Sequence, residues 1–270
     1  MPHPPSTYFA LADLPQRGSI EKQAFGTGWW ELDRILKFYL GQFVVVTGLA
    51  GSGKSTFLLN VIARLAHLHG TKSFLYVPEN EAHLCDKIAK IWGDDAGFQH
   101  FAQSQCFVQS AMPDNFDDRP KTLDWVLEKA AVAVERDKVE IVLIDPWNEL
   151  DRAKPPQMLL TDYIGECLML LKQFCRSMNV LVIVVAHPTK AVNEKGGRVT
   201  SLADIEGSMN WFNKCDNGLI VVREAERDTT RIISAKVREI GAGRIGACYF
   251  SVDPETGLFT PQYGGVDEHG

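Results

Sequence analysis

The chain has 270 residues, 45% of them hydrophobic and 23% charged, enough for one large α/β domain or two small ones and for a sizeable core. Its 28 Lys and Arg against 34 Asp and Glu give a net charge of −6, which excludes a protein that coats duplex nucleic acid with a uniformly basic surface. Residues 1–7 are Pro-rich without an apolar segment, and residues 180–186, the longest clear apolar run, are too short to span a bilayer. The expectation is a soluble intracellular protein with no membrane partner. Cys85, Cys106, Cys167, Cys175, Cys215 and Cys248 form no CxxC pair and sit in apolar stretches, so they read as reduced core residues.

Residues 1–24 carry Pro, Ser and charge without periodicity and read as an arm or linker; residues 25–262 read as one domain and 263–270 as a tail. The stretch GTGWWELDRIL predicts a turn and a short amphipathic helix. FVVVTG, residues 43–48, is a β-branched run ended by glycine, as in a strand buried on both faces of a parallel sheet. Residues 55–69 have helical spacing, with Phe57, Leu58, Val61, Ile62 and Leu65 on one side. Strands at 73–77, 140–145 and 180–186 then alternate with helices at 83–92, 122–136 and 158–178, the rhythm of βαβ units with right-handed crossovers. Residues 217–222, 231–238 and 247–252 predict three strands joined by short polar turns. The fold class that follows is α/β: a mainly parallel sheet flanked by helices, with an antiparallel C-terminal edge meander.

Gly48-Leu-Ala-Gly51-Ser52-Gly53-Lys54-Ser55 matches G-x-x-x-x-G-K-[ST] in full and lies between a buried strand and a helix start. Glycines there let backbone amides turn inward around phosphates, and the helix N-terminus adds partial positive charge. Lys54 is expected to reach the β and γ phosphates and Ser55 to ligate Mg2+, with Thr56 completing the nucleotide-binding set. Asp145 ends the apolar strand Ile141-Val-Leu-Ile144 and is the expected second metal residue, through a bound water. Gly241-Ala-Gly243-Arg-Ile-Gly246 fits the dinucleotide fingerprint, but an alternating strand pattern follows instead of a helix, so it predicts a hairpin turn.

Together with the P-loop, the segments GTGWWELDRIL, FLYVPEN, IVLIDPWNE, VLVIVVAHPTK, DIEGSMNWFNKCDNGLIVV and AKVREIGAGRIG resemble, in order and spacing, the RecA-like motor domain of DnaB-type hexameric replicative helicases, the Twinkle and phage primase-helicase branch in particular. The likeness runs from about Gly26 to Pro261. It implies an ATP- or other NTP-hydrolysing DNA helicase of 5′–3′ polarity that forms a homo-oligomeric ring, a hexamer, on single-stranded DNA. A primase or polymerase partner is compatible with it, as is a phage or organelle replication site in place of the cytoplasm. By resemblance Glu79 polarises the attacking water, with Glu81 its rival two residues on; Pro78 is a departure from the family. His187 corresponds to the phosphate sensor after its strand. Lys236 and Arg238, which alternate on one face of a strand, correspond to a pair that crosses to a neighbouring subunit's nucleotide. The loop after His187 carries Lys190, Lys195 and Arg198, which with Ser208 form the expected DNA-binding set.

Other readings stay open at this level. They are a RecA-fold ATPase without unwinding (a recombination mediator or clock-type regulator), a small-molecule P-loop kinase, and a nucleotide-assembled clamp or loader. His67 and His69 read as surface or packing residues, and Trp29, Trp30, Trp147 and Trp211 as core or interface packing. Tyr249 or Phe250 is a candidate to stack on the base.

Overall fold

The computed structural model describes residues 23–111, 117–189, 192, 199–207, 209–224 and 228–262. In chain order they form α1 (Trp30–Ile35), β1 (Phe43–Thr47), α2 (Lys54–His69), β2 (Ser73–Tyr76), α3 (Leu84–Trp92), α4 (Asp95–Ser104), β3 (Cys106–Val108), α5 (Leu123–Asp137), β4 (Ile141–Ile144), α6 (Leu160–Ser177), β5 (Leu181–Val185), α7 (Met209–Lys214), β6 (Asn217–Glu224), β7 (Thr229–Val237), β8 (Gly246–Val252) and β9 (Phe259–Pro261). The strands make one nine-stranded sheet in the order β3-β2-β4-β5-β1-β6-β7-β8-β9. From β3 to β6 every pairing is parallel; β6 through β9 pair antiparallel. The expected mixed α/β sheet with an antiparallel edge is the observed one.

The β-branched runs are buried because both faces of the sheet are covered. Val44 and Val46 of β1, Ile141 and Leu143 of β4, and Leu181, Ile183 and Val185 of β5 pack on one side with α1 to α4. Phe43, Val45, Val142, Ile144, Val182 and Val184 pack on the other with α5, α6 and α7. This is the period-2 alternation of a pleated strand with an apolar layer on each face. Among the described residues no helix is long and apolar enough to cross a membrane.

The structure corrects several details. Helix α4 and edge strand β3 lie in a stretch without an assigned element, and β9 adds a fourth antiparallel strand. Asp94 caps α4, accepting from the Gly97 amide at 2.7 Å, an N-terminal signal. β9 is only three residues, too short for its alternation to be legible. Cys85 is exposed and Cys106 half-buried, whereas the other four cysteines are in the core as read. Trp29, Trp147 and Trp211 are buried, but Trp30 is 64% exposed beneath the Arg34 guanidinium, which lies 4.5 Å from its ring. The Gly-rich fingerprint is the β7–β8 hairpin turn. A Cβ on Gly243 would stand 2.3 Å from the Ile35 carbonyl oxygen, so that glycine serves close packing against α1. The arm before residue 23 and the tail after 262 lie outside the described residues.

Candidate active site

The phosphate loop forms where β1, central in the sheet, gives way to α2. Gly48 leaves the strand at φ 151°, and a Cβ there would lie 2.2 Å from the Val221 carbonyl oxygen, so no side chain fits. Gly53 caps α2 in the left-handed region at φ 91°. Gly51 is exposed at the loop crest; Ser52 is buried, and its amide donates to Leu49 at 3.2 Å. Lys54 is buried and its Nζ donates to the Gly48 and Leu49 carbonyls at 3.0 and 2.8 Å. Burial lowers the Lys54 pKa, opposed by Asp145 and then Glu79. Burial raises the Asp145 carboxyl, opposed by a hydrogen bond from Ser55 and by Lys54. Lys54, Ser55, Asp145 and Glu79 thus share one electrostatic environment. Thr56 is the third residue of α2, half-buried.

Pro78 opens a 3-10 turn, Pro78–His83, where proline needs no amide partner. That turn separates the two glutamates. Glu79 is exposed and is felt by both Lys54 and Asp145. Glu81 turns away and accepts the Ala111 amide at 2.9 Å, tying the segment after β3 to the turn. His187 follows β5 half-buried; its pKa is lowered by burial first and Lys54 second, with Glu149 opposing. Its amide donates to Asn148 Oδ1 at 3.1 Å, which joins the ends of β4 and β5. The chain beyond is pinned by a Pro188–Ile205 bridge and by Thr189 donating to the Asp204 carbonyl at 2.8 Å. Lys190, Lys195, Arg198 and Ser208 lie outside the described residues.

Lys236 and Arg238 are elsewhere. Arg238 donates its amide to the Asp216 carbonyl, and Asp216 donates its own to Phe43, the first residue of β1. The pair is therefore level with the amino end of β1, while the phosphate loop leaves the carboxyl end. Four residues of strand rise make that roughly 13 Å, and β7 is two strands, about 10 Å, to the side. Neither side chain reaches the phosphate loop of its own chain.

Two buttresses carried no motif. Asn60, in the middle of α2, is fully buried; its Nδ2 donates to the Thr56 and Gly257 carbonyls at 2.8 and 2.9 Å, and its Oδ1 accepts the Phe259 amide at 3.0 Å. It clamps the β8–β9 segment onto the helix that follows the phosphate loop, and Phe259 packs on Phe57 at 5.6 Å. A polar residue inside the apolar run FLLNVIA was the available signal. Phe250 is fully buried among Trp29, Phe57 and Phe259, so it does not stack on a base; Tyr249 is also buried, beside Arg231. His67 packs edge-on against Trp92, and His69 meets the Gly26 carbonyl at 2.7 Å, both as structural residues.

An AAA domain family model matches residues 31–193, more than half of the chain, covering the phosphate loop, Glu79, Asp145 and His187. The chain belongs to this AAA domain family. It therefore carries a nucleotide-binding domain, and the matched stretch contains the glycine-rich loop Gly48–Ser55. The Twinkle homolog protein, chloroplastic/mitochondrial, of Arabidopsis thaliana is 34% identical over 256 residues, which cover 87% of this chain and 36% of that protein. The chain thus spans about a third of the length of that curated relative. Among solved structures, an ATPase domain superposes with a TM-score of 0.72 at 18% identity, over 88% of this chain and 91% of that one. A DnaB-like replicative helicase, solved in a study of its interactions with primase, gives 0.71 at 18% identity, over 87% of this chain and 61% of that one. The chain has the fold of these two structures.

Proposed function

We propose that the chain is the motor domain of a ring-forming, NTP-driven DNA helicase acting in replication. The observation that carries this is the division of the machinery: a complete phosphate cradle at one end of the sheet, and Lys236 with Arg238 at the other, out of reach of it. A second copy that presents its amino-end face to the cradle supplies what one chain lacks. The 34% identity to a Twinkle homolog supports the same reading.

The residues divide the work as follows. The loop amides and Lys54 grip the phosphates, Lys54 leaving the Gly48 and Leu49 carbonyls to do so. Ser52 Oγ and Thr47 Oγ1 are buried beside the loop without a hydrogen-bond partner among the described residues. The Ser55 hydroxyl bonded to Asp145 is a hard oxygen pair suited to magnesium. Ser55 and, through water, Asp145 would hold it, and the ion would supply neutralisation of phosphate charge. Glu79 orients the attacking water, and His187 donates to the terminal phosphate as a neutral imidazole. Lys236 and Arg238 stabilise charge on the neighbour's nucleotide. Lys190, Lys195, Arg198 and Ser208 hold the DNA backbone in the bore of the ring, where each subunit repeats a small basic cluster despite the net charge of −6. The ring is a homohexamer, and a primase is its expected partner.

Nucleotide hydrolysis measured with and without single-stranded oligonucleotide, beside native mass over a concentration series, tests this. Stimulation by DNA together with assembly is expected, and strand displacement on a forked substrate separates a helicase from an ATPase without unwinding. A verified monomer that turns over at full speed, indifferent to DNA and to its own concentration, overturns it.

A further inference from the structure

The amino-end cations do not lie loose on the surface. Asp216, between α7 and β6, has a side chain only 4% exposed, and four groups converge on it. Its Oδ2 accepts the Phe43 amide at 3.0 Å. Its Oδ1 faces Lys172 Nζ at 3.0 Å, Arg238 Nε at 3.3 Å and Arg176 Nη2 at 3.9 Å. Arg238 Nη2 also donates to the Cys215 carbonyl at 3.0 Å and to that of Asn213, and Lys236 Nζ donates to that of Phe212. These carbonyls end α7, where a helix leaves acceptors unsatisfied. Arg238 Nη1 has no partner among the described residues.

We propose that Asp216 is a positioning residue: it seats Arg238, and Lys236 beside it, so that the free edge of the guanidinium faces a neighbouring protomer's nucleotide. The inference rests on the ring reading above. A buried carboxylate needs partners, and an arginine already held through Nε and Nη2 surrenders little rotamer freedom when its remaining edge meets a phosphate. Through the Phe43 amide the same carboxylate fixes this seat to β1, the strand that ends in the chain's own phosphate loop.

The test is complementation between damaged copies. Lys54→Ala spoils a protomer's own cradle but leaves its cations; Arg238→Ala does the reverse. Asp216→Asn keeps an acceptor for the Phe43 amide and removes the charge. Alone, it is expected to lose roughly 10- to 100-fold in kcat on single-stranded DNA, with nucleotide affinity within about twofold of the unmodified chain. Mixed with Lys54→Ala it should regain turnover, as Arg238→Ala should, because its intact cradle then borrows sound cations. Full turnover by Asp216→Asn alone overturns the inference. So does a defect that the Lys54→Ala partner does not rescue while it rescues Arg238→Ala, since the damage then lies in the chain's own fold. Failure of Arg238→Ala to be rescued removes the ring reading, and this inference with it. If Asp216→Asn does not fold, Asp216→Glu, with the charge kept and displaced by one methylene, is read in the same mixtures. Partial loss, rescued by Lys54→Ala, is then expected, and unrescued loss overturns the inference.

Discussion

At the carboxyl end of β1, eight consecutive residues build a cradle from backbone amides, one lysine and one hydroxyl. At its amino end, Lys172 and Arg176 from α6, Asp216 from the α7–β6 connection, and Lys236 and Arg238 from the end of β7 make a cluster of cations around one buried carboxylate. The two regions flank the same strands and differ in where their charges are satisfied. Lys54 at the carboxyl end is held only by loop carbonyls; the cations at the amino end are held by a carboxylate and helix-end carbonyls. In the proposed function the first receives a ligand and the second presents a group.

The largest effect with which to break this contrast is at the two glutamates of the 3-10 turn. Glu79→Gln is expected to lower turnover by about 100-fold or more while nucleotide binding, followed with a fluorescent analogue, is kept. Glu81→Gln should leave turnover nearly intact and, because the glutamine oxygen still accepts the Ala111 amide, should cost less than about 1 kcal/mol of stability, the charge assistance of that hydrogen bond, read by denaturant unfolding. Reversal of the two phenotypes would move the water-orienting role to Glu81 and take Glu79 out of the site.

A smaller effect probes what holds the cradle. Asn60→Leu removes the acceptor of the Phe259 amide and the donation to the Gly257 carbonyl that tie the β8–β9 segment to α2, with a further donation to Thr56 inside the helix, and leaves the Phe259 amide buried without its partner. A loss of about 2–3 kcal/mol is expected in unfolding, with weaker nucleotide binding and without change in the native mass over a concentration series. Loss of assembly at unaltered nucleotide affinity would show that the β8–β9 segment belongs to the other region.

The same contrast explains what was legible in the sequence. Strands β1, β4 and β5 announced themselves because burial on both faces writes an unbroken apolar run, and the phosphate loop because its chemistry needs adjacent residues. Lys236 and Arg238 stood out only as an alternating pair. Asp216 carried no signal, since its partners lie up to 173 residues away in sequence, at the Phe43 amide. Asn60 was hidden because a polar residue in a helix declares neither its partner nor its burial, and β9 because three residues cannot show a period. That Glu79 and Glu81 face different partners depended on the 3-10 turn that Pro78 opens, which the sequence did not declare.

The smallest expected effect concerns the charge of His187 and sharpens the contrast, because the proposed function gives the receiving end a neutral imidazole and the presenting end a lysine and an arginine. Burial, and after it the Lys54 ammonium, holds the His187 pKa below its ordinary value. As pH falls through about 6.5, the ordinary histidine value, the unfolded chain binds the proton first. The unfolded state then holds more protons than the folded one, so stability falls with pH in that window and levels off once His187 protonates in the fold. Above the window this group contributes no slope. His187→Gln, which does not titrate, should therefore melt with a constant offset from the unmodified chain at neutral and alkaline pH, and the offset should move in favour of the variant as the solution is made acid. An offset that stays flat from about pH 8 to about pH 5 would mean that the imidazole is as easily protonated in the fold as outside it. A terminal phosphate at this strand end would then meet a cation at mildly acid pH, and the division between the two ends of the sheet would be one of position and not of charge.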